Sequence, residues 1–210
     1  MDIKLKEFFY LPNLLSLIRL ILIIPIAFLM PDNQPSTQNL VLILALIAAC
    51  TDFLDGYFSR KLNLVTDLGK ILDPLADKIV LGVGLILLVL YRNFPLPLAI
   101  YLIYRDIMIV IVGGITAKKT GHPTPANFWG KLNTTVIALT GLLYLSGWLP
   151  GLAKLGIILS YGTITASGIS YALLGQKLLF DKNWQKTIYW LILVILTTLV
   201  ILSTINLKFV

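Results

Sequence analysis

The sequence is poor in charge, in cysteine and in histidine. Only 13% of its 210 residues are charged, against about 25% in a typical soluble domain. A single cysteine, Cys50, excludes an intramolecular disulfide, and a single histidine, His122, disfavours a zinc or copper site built on thiolates and imidazoles. Polar stretches long enough to form a soluble domain are also lacking. These absences place the chain in a lipid bilayer.

Apolar residues are abundant and occur in long runs. They make up 58% of the chain, and the runs approach the roughly 20 residues that a helix needs to cross a hydrocarbon core. We therefore predict an all-α integral membrane protein with a core of six transmembrane helices and an extra C-terminal transmembrane helix. Six spans plus a peripheral helix is the alternative, because serines and threonines interrupt the sixth run. The predicted spans are 14–30, 39–58, 71–91, 97–117, 132–149, 152–175 and 186–206.

The domain organisation follows from these spans. Residues 1–178 are predicted to form the membrane domain, and residues 179–210 the additional C-terminal helix. Before the first span, Leu5, Phe8 and Phe9 lie among charged residues, a pattern typical of a segment in the headgroup layer.

Basic residues indicate how the chain lies in the membrane. The net charge is +7, but the lysines and arginines are scattered, which favours anionic lipid headgroups over nucleic acid as their partner. They collect in alternate loops, and short cytoplasmic loops are enriched in them. The loops assigned to the cytoplasm hold Lys4, Lys6, Arg60, Lys61, Lys70, Lys118, Lys119, Lys131, Lys177, Lys182 and Lys186.

The chemistry is concentrated in one hairpin, residues 51–78, which contains five of the ten acidic residues. Asp52 and Asp55 are three residues apart and Asp73 and Asp77 four apart, so each pair shares one face of a helix. Four carboxylates brought together by two facing helices require positive charge between them. Ligands with oxygen atoms alone favour Mg²⁺ or Mn²⁺, and two ions suit a displacement at phosphorus.

The spacing of this hairpin resembles the signature of the CDP-alcohol phosphotransferase family, D-x2-D-G-x2-A-R-x8-G-x3-D-x3-D. Every interval matches, and Ser59 replaces the usual alanine. The resemblance implies transfer of a phosphatidyl group from CDP-diacylglycerol to an alcohol with release of CMP, by an enzyme that is commonly a homodimer. It also implies roles for particular residues: two metal ions at Asp52, Asp55, Asp73 and Asp77, the CDP moiety at Asp55, Gly56, Ser59, Arg60 and Gly69, and a catalytic base at Asp77.

The acceptor alcohol is less clearly indicated. The opening segment PNLLSLIR places Asn13, Ser16 and Arg19 on one helix face and resembles the start of phosphatidylglycerophosphate synthases, which favours glycerol-3-phosphate. By contrast, the region from Arg105 to Thr134 resembles CMP-forming cardiolipin synthases. Phosphatidylinositol phosphate synthase is a further alternative. Candidate acceptor-binding residues are Asn13, Arg19, Arg105 and Lys131, although Arg105 and Asp106 could equally form a structural pair.

A cation or proton carrier is the rival hypothesis, because intramembrane carboxylates often mark ion pathways. A carrier is expected to place polar groups at mid-depth on several helices, whereas these aspartates cluster beside one basic loop. We therefore favour the enzyme, in a bacterial inner membrane with its active site facing the cytoplasm.

Overall fold

A computed structural model describes residues 10–61, 68–120 and 127–206. Over these ranges the chain forms seven α-helices and no β-strand. Each helix covers one of the predicted spans, with ends that differ by a few residues. The helices are α1 (Leu11–Leu29), α2 (Pro35–Lys61), α3 (Gly69–Arg92), α4 (Leu96–Thr120), α5 (Phe128–Ser146), α6 (Pro150–Leu179) and α7 (Asn183–Asn206).

Four of these helices are long and apolar enough to cross a membrane. Helix α1 adds a shorter apolar stretch, Asn13–Leu29. Four of the five charged residues of α3 lie in its first half and reduce the hydropathy there. The all-α membrane architecture is thus confirmed, while the number of spans stays a prediction. The four apolar segments are Pro35–Asp52, Leu96–Lys119, Pro150–Leu179 and Asn183–Ser203.

Local sequence explains several helix ends. Pro12 lies in the first turn of α1, where a missing N–H costs nothing. Helix α3 is followed by Asn93, which caps it with a φ of 52°, a left-handed conformation that asparagine tolerates better than most residues. Phe94, which follows, is 3% exposed and packs edge-on against Tyr144 at 5.1 Å between ring centroids.

The loop between α1 and α2 is held by side chains. Arg92 Nη1 at the end of α3 donates to Asn33 Oδ1 at 2.7 Å. Asp32 accepts hydrogen bonds from the Gln34 N–H and the Thr37 hydroxyl, and these bonds hold the pKa of its carboxyl below the usual range. The loop is therefore tied both to the start of α2 and to the end of α3.

The chain forms two compact units. The first comprises Met1–Phe94 and Gly141–Leu149, and the second comprises Pro95–Thr140 and Pro150–Val210. In the first unit α1 packs against both α2 and α3. In the second unit α4 packs against both α6 and α7. The predicted domain boundary between residues 178 and 179 stays a prediction.

Helix α6 buries its small and hydroxyl-bearing residues. Ser160, Thr163 and Ser167 recur at intervals of three and four, so they lie on one face, and all three are buried. Close packing at this face requires a small residue at Gly156, because a Cβ atom there would lie 2.6 Å from Thr140 Oγ1. Ser160, Thr163 and Ser167, which are among the residues that interrupt the sixth apolar run, thus lie in the interior of the second unit.

Candidate active site

One face of α1 carries the polar residues of the first unit. Asn13, Ser16 and Arg19 are 1%, 0% and 3% exposed. Their spacing of three places them on successive turns, as the sequence predicts. A guanidinium in an apolar span is expensive unless charged partners compensate it. The structure supplies such partners from the two neighbouring helices.

Arg19 connects α1 to both halves of the carboxylate hairpin. Its Nη1 atom lies 2.6 Å from Asp52 Oδ1 on α2 and also donates to Asp77 Oδ1 on α3. One turn earlier on α1, the Ser16 hydroxyl donates to Asp73 Oδ1 at 2.7 Å. Three of the four signature aspartates are therefore gathered along one face of α1.

The charges of this cluster do not balance. Arg19 is buried, whereas the side chains of Asp52 and Asp77 are 57% and 47% exposed. Among the side chains that the structure describes, this cluster has three carboxylates, including Asp73, and one guanidinium, which cannot lose its proton. The cluster therefore combines excess negative charge with accessible oxygen atoms, which is the arrangement that attracts a cation.

The donor set fits a hard divalent ion. Carboxylate oxygens are the ligands that Mg²⁺ and Mn²⁺ prefer, and Asp52 and Asp77 already converge on a single positively charged nitrogen. Within the described residues, no three acidic, cysteine or histidine side chains lie close enough together to hold a metal. The side chain of Asp55 lies outside the described residues.

The remaining signature positions are only partly described. The backbone of Asp55, Gly56, Ser59 and Arg60 belongs to α2, but their side chains lie outside the described residues, so their predicted roles stay predictions. Gly69 is the first residue of α3, which agrees with its predicted place at the start of the returning helix. His122 also lies outside the described residues.

A second polar cluster lies within the second unit, around Arg105 on α4. Arg105 is 9% exposed. Its Nη1 donates to Asp106 Oδ1 at 2.6 Å, its Nη2 donates to Ser167 Oγ on α6, and its guanidinium lies 5.6 Å from the centroid of the Tyr171 ring. Arg105 and Asp106 therefore form an ion pair, which is compatible with both of the roles predicted for Arg105. Ser167 and Tyr171 were not predicted, although the hydroxyl periodicity of α6 carries a signal for Ser167.

Helix α5 also bonds to α6, through Asn133. Asn133 is 1% exposed, and its Oδ1 accepts from the Thr163 hydroxyl at 3.1 Å. Its Nδ2 is buried with no hydrogen-bond partner among the residues that the structure describes. Lys131, two residues earlier, is exposed. The second unit thus contains buried polar groups on α4, α5 and α6.

Comparison with known proteins finds relatives that match most of the chain. The chain is 40% identical over 180 residues to the CDP-diacylglycerol–glycerol-3-phosphate 3-phosphatidyltransferase of Aquifex aeolicus, covering 81% of this chain and 98% of that protein. The enzyme of the same name from Bacillus subtilis is 34% identical over 197 residues, 84% of this chain and 96% of that one. A CMP-forming cardiolipin synthase from Streptomyces coelicolor is 32% identical over 151 residues, 68% of this chain and 70% of that one.

The family assignment rests on most of the chain. The sequence profile of the CDP-alcohol phosphatidyltransferases matches residues 9–166, a range that contains the carboxylate hairpin and the Arg19 face of α1. The Aquifex and Bacillus relatives exceed 30% identity over nearly their whole length. The protein is therefore a multi-pass membrane transferase that belongs to the CDP-alcohol phosphatidyltransferase family.

Proposed function

We propose that this protein transfers the phosphatidyl group of CDP-diacylglycerol to glycerol-3-phosphate, with release of CMP. The observation that carries the proposal is the gathering of Asp52, Asp73 and Asp77 along one face of α1. Relatives from Aquifex aeolicus and Bacillus subtilis that are named for this reaction support the choice of acceptor.

The proposed reaction is one displacement at phosphorus. A hydroxyl oxygen of the acceptor forms a bond to the lipid-side phosphorus of the donor, the bond from that phosphorus to the bridging oxygen breaks, and CMP leaves with the electron pair. The hydroxyl proton passes to the carboxylate of Asp77, which is accessible enough to receive it. The remaining carboxylates, Asp52 and Asp73, would act through bound cations rather than on the phosphate directly.

Positive charge is needed at the phosphate oxygens during this displacement. One or two bound Mg²⁺ or Mn²⁺ ions would supply it, and we propose that the four signature aspartates hold them: Asp52, Asp55, Asp73 and Asp77. For the CDP moiety we propose Asp55, Gly56, Ser59, Arg60 and Gly69. Candidates for acceptor recognition stay as predicted from the sequence: Asn13, Arg19, Arg105 and Lys131.

Cardiolipin synthesis is the second candidate, with phosphatidylglycerol as the acceptor. The Streptomyces coelicolor relative named as a CMP-forming cardiolipin synthase favours it. A phosphatidylinositol phosphate synthase would use the same donor. Family membership leaves the carrier hypothesis without support.

We further propose that the enzyme lies in a bacterial inner membrane, with its carboxylate cluster facing the cytoplasm, and that it is a homodimer. The lysines and arginines in alternate loops support the orientation. Light scattering of the purified protein, corrected for detergent, measures the oligomeric state directly.

The test of the reaction is CMP release by purified protein supplied with CDP-diacylglycerol and Mg²⁺. Glycerol-3-phosphate, phosphatidylglycerol, inositol phosphate and serine are given in separate reactions. We expect release with glycerol-3-phosphate, and we expect Asp77→Asn to reduce it about a hundred- to ten-thousand-fold. Asp32→Asn, the same change in the loop between α1 and α2, is the matched control and is expected to retain activity.

The alternative outcomes are informative. Release only with phosphatidylglycerol would replace the first acceptor by the second. Folded protein that releases no CMP with any acceptor would contradict the proposed function.

A further inference from the structure

The Arg19 guanidinium occupies the position at which a cation is needed. A single nitrogen, Nη1, contacts Oδ1 of Asp52 and Oδ1 of Asp77. These are two of the carboxylates to which the proposed function assigns the metal. A guanidinium and a divalent ion both bind carboxylate oxygens, so the two cations draw on the same ligand atoms.

The charge of Arg19 is permanent. A guanidinium keeps its proton at any ordinary pH, so the positive charge is always present. The side chain is 3% exposed, and water screens a buried charge less than an exposed one. A divalent ion at Asp52 and Asp77 therefore approaches a fixed positive charge at close range and is repelled by it.

Arg19 also has an effect that favours metal binding, because it holds the two carboxylates in place. Without it, Asp52 and Asp77 would repel each other. However, each carboxylate is also fixed by the helix that carries it, and Asp73 is held separately by the Ser16 hydroxyl. Loss of Arg19 would therefore remove the competing charge of its guanidinium but only part of the positioning, so we expect the net effect of Arg19 on metal binding to be competition.

We propose that Arg19 is a positioning residue that acts as a built-in counter-cation: it holds Asp52 and Asp77 together in the metal-free enzyme, and a divalent ion must compete with it for their oxygens. This inference rests on the metal site of the proposed function. It assigns Arg19 a role in setting metal affinity, apart from the predicted role in binding the acceptor.

The test is Mn²⁺ binding to purified, EDTA-treated protein, followed by electron paramagnetic resonance of free Mn²⁺. Arg19→Gln, which is uncharged, is expected to bind Mn²⁺ about tenfold more tightly than the parent protein. Arg92→Gln is the matched control, because Arg92 belongs to the same unit but pairs with Asn33 in the loop between α1 and α2. Its Mn²⁺ affinity is expected to equal that of the parent protein.

Thermal unfolding supplies a readout that does not depend on catalysis. In EDTA, Arg19→Gln is expected to unfold at a lower temperature than the parent protein, because its carboxylates have lost their counter-cation. Saturating Mn²⁺ is expected to raise the unfolding temperature of Arg19→Gln by more than that of the parent. Equal gains for the two proteins would contradict the proposal.

Other outcomes separate this inference from the proposed function. Unchanged or weaker Mn²⁺ binding by Arg19→Gln, in a preparation whose parent protein releases CMP, overturns the role of Arg19 and leaves the reaction standing. A parent protein that releases CMP without binding Mn²⁺ overturns the metal site and this inference together. If Arg19→Gln does not fold, Arg19→Met replaces it: methionine is uncharged and suits an apolar span, so tighter binding is again expected, and unchanged or weaker binding overturns the proposal.

Discussion

At the scale of single residues, buried charge is matched by partners distant in sequence. Arg19 finds Asp77 58 residues further along the chain, and Arg105 finds Ser167 62 residues further along. A buried charged group left without its partner is strongly destabilising. Each of these side chains therefore helps to determine which helices pack together within its unit.

Ser167→Ala tests the partner of Arg105. Ser167 is 0% exposed, and its loss leaves an Arg105 N–H group without that acceptor, so we expect the free energy of unfolding to fall by about 1–3 kcal/mol. Thermal unfolding in detergent measures the change. Ser203→Ala is the matched control, because the exposed Ser203 hydroxyl donates to Val200 O of its own helix.

The same variant addresses the two roles left open for Arg105. If Arg105 with Asp106 is a structural pair, Ser167→Ala lowers stability and leaves the KM for glycerol-3-phosphate unchanged. A raised KM at unchanged stability would favour acceptor binding instead.

At the scale of elements, α6 shows how a membrane helix uses small and hydroxyl-bearing residues. Ser160 Oγ lies 3.2 Å from Thr140 Oγ1 on α5, and Thr163 bonds Asn133 on the same helix. Lipid is as apolar as a leucine side chain, so helices in a bilayer gain stability from close packing and from hydrogen bonds between them. The face of α6 supplies both.

Two glycines of α6 provide a matched pair of substitutions. Gly156→Ala is expected to destabilise the protein by about 1–3 kcal/mol, because the new Cβ would lie 2.6 Å from the buried Thr140 Oγ1. Gly162→Ala meets nothing within 4 Å and is expected to be neutral or to stabilise by up to about 1 kcal/mol. Thermal unfolding distinguishes them, and equal shifts would contradict the packing described here.

The helices could be predicted from the sequence better than the contacts between them. Long apolar runs indicate helices, and the intervals of the signature indicate which aspartates share a face, so the seven helices and the opening of α3 at Gly69 could be read from the sequence. The partners of Arg19 and Arg105 could not, because hydropathy does not say which helices are neighbours. The contacts of Arg19 in the first unit and those of Arg105 in the second depend on how the helices pack.

At the scale of the whole molecule, the arrangement across the membrane is the main open prediction. The basic loops predict that the segment between α1 and α2 faces outward and that the segment between α6 and α7 faces the cytoplasm. In a variant with Cys50→Ala, a cysteine at Gln34 is expected to react with a membrane-impermeant maleimide in intact cells. A cysteine at Asp181 is expected to react only after lysis. The reverse pattern would invert the proposed orientation.

The bridge from Arg19 to Asp77 has a consequence for biosynthesis. At about 5–20 residues per second, a ribosome completes the 58 residues between them in about 3 to 12 seconds. During that interval α1 carries an arginine whose insertion at mid-membrane costs about 2.5–3.5 kcal/mol. Asp52 on α2 is made before Asp77 on α3, so we expect Arg19 to gain both of these charged partners only after α3 has been made.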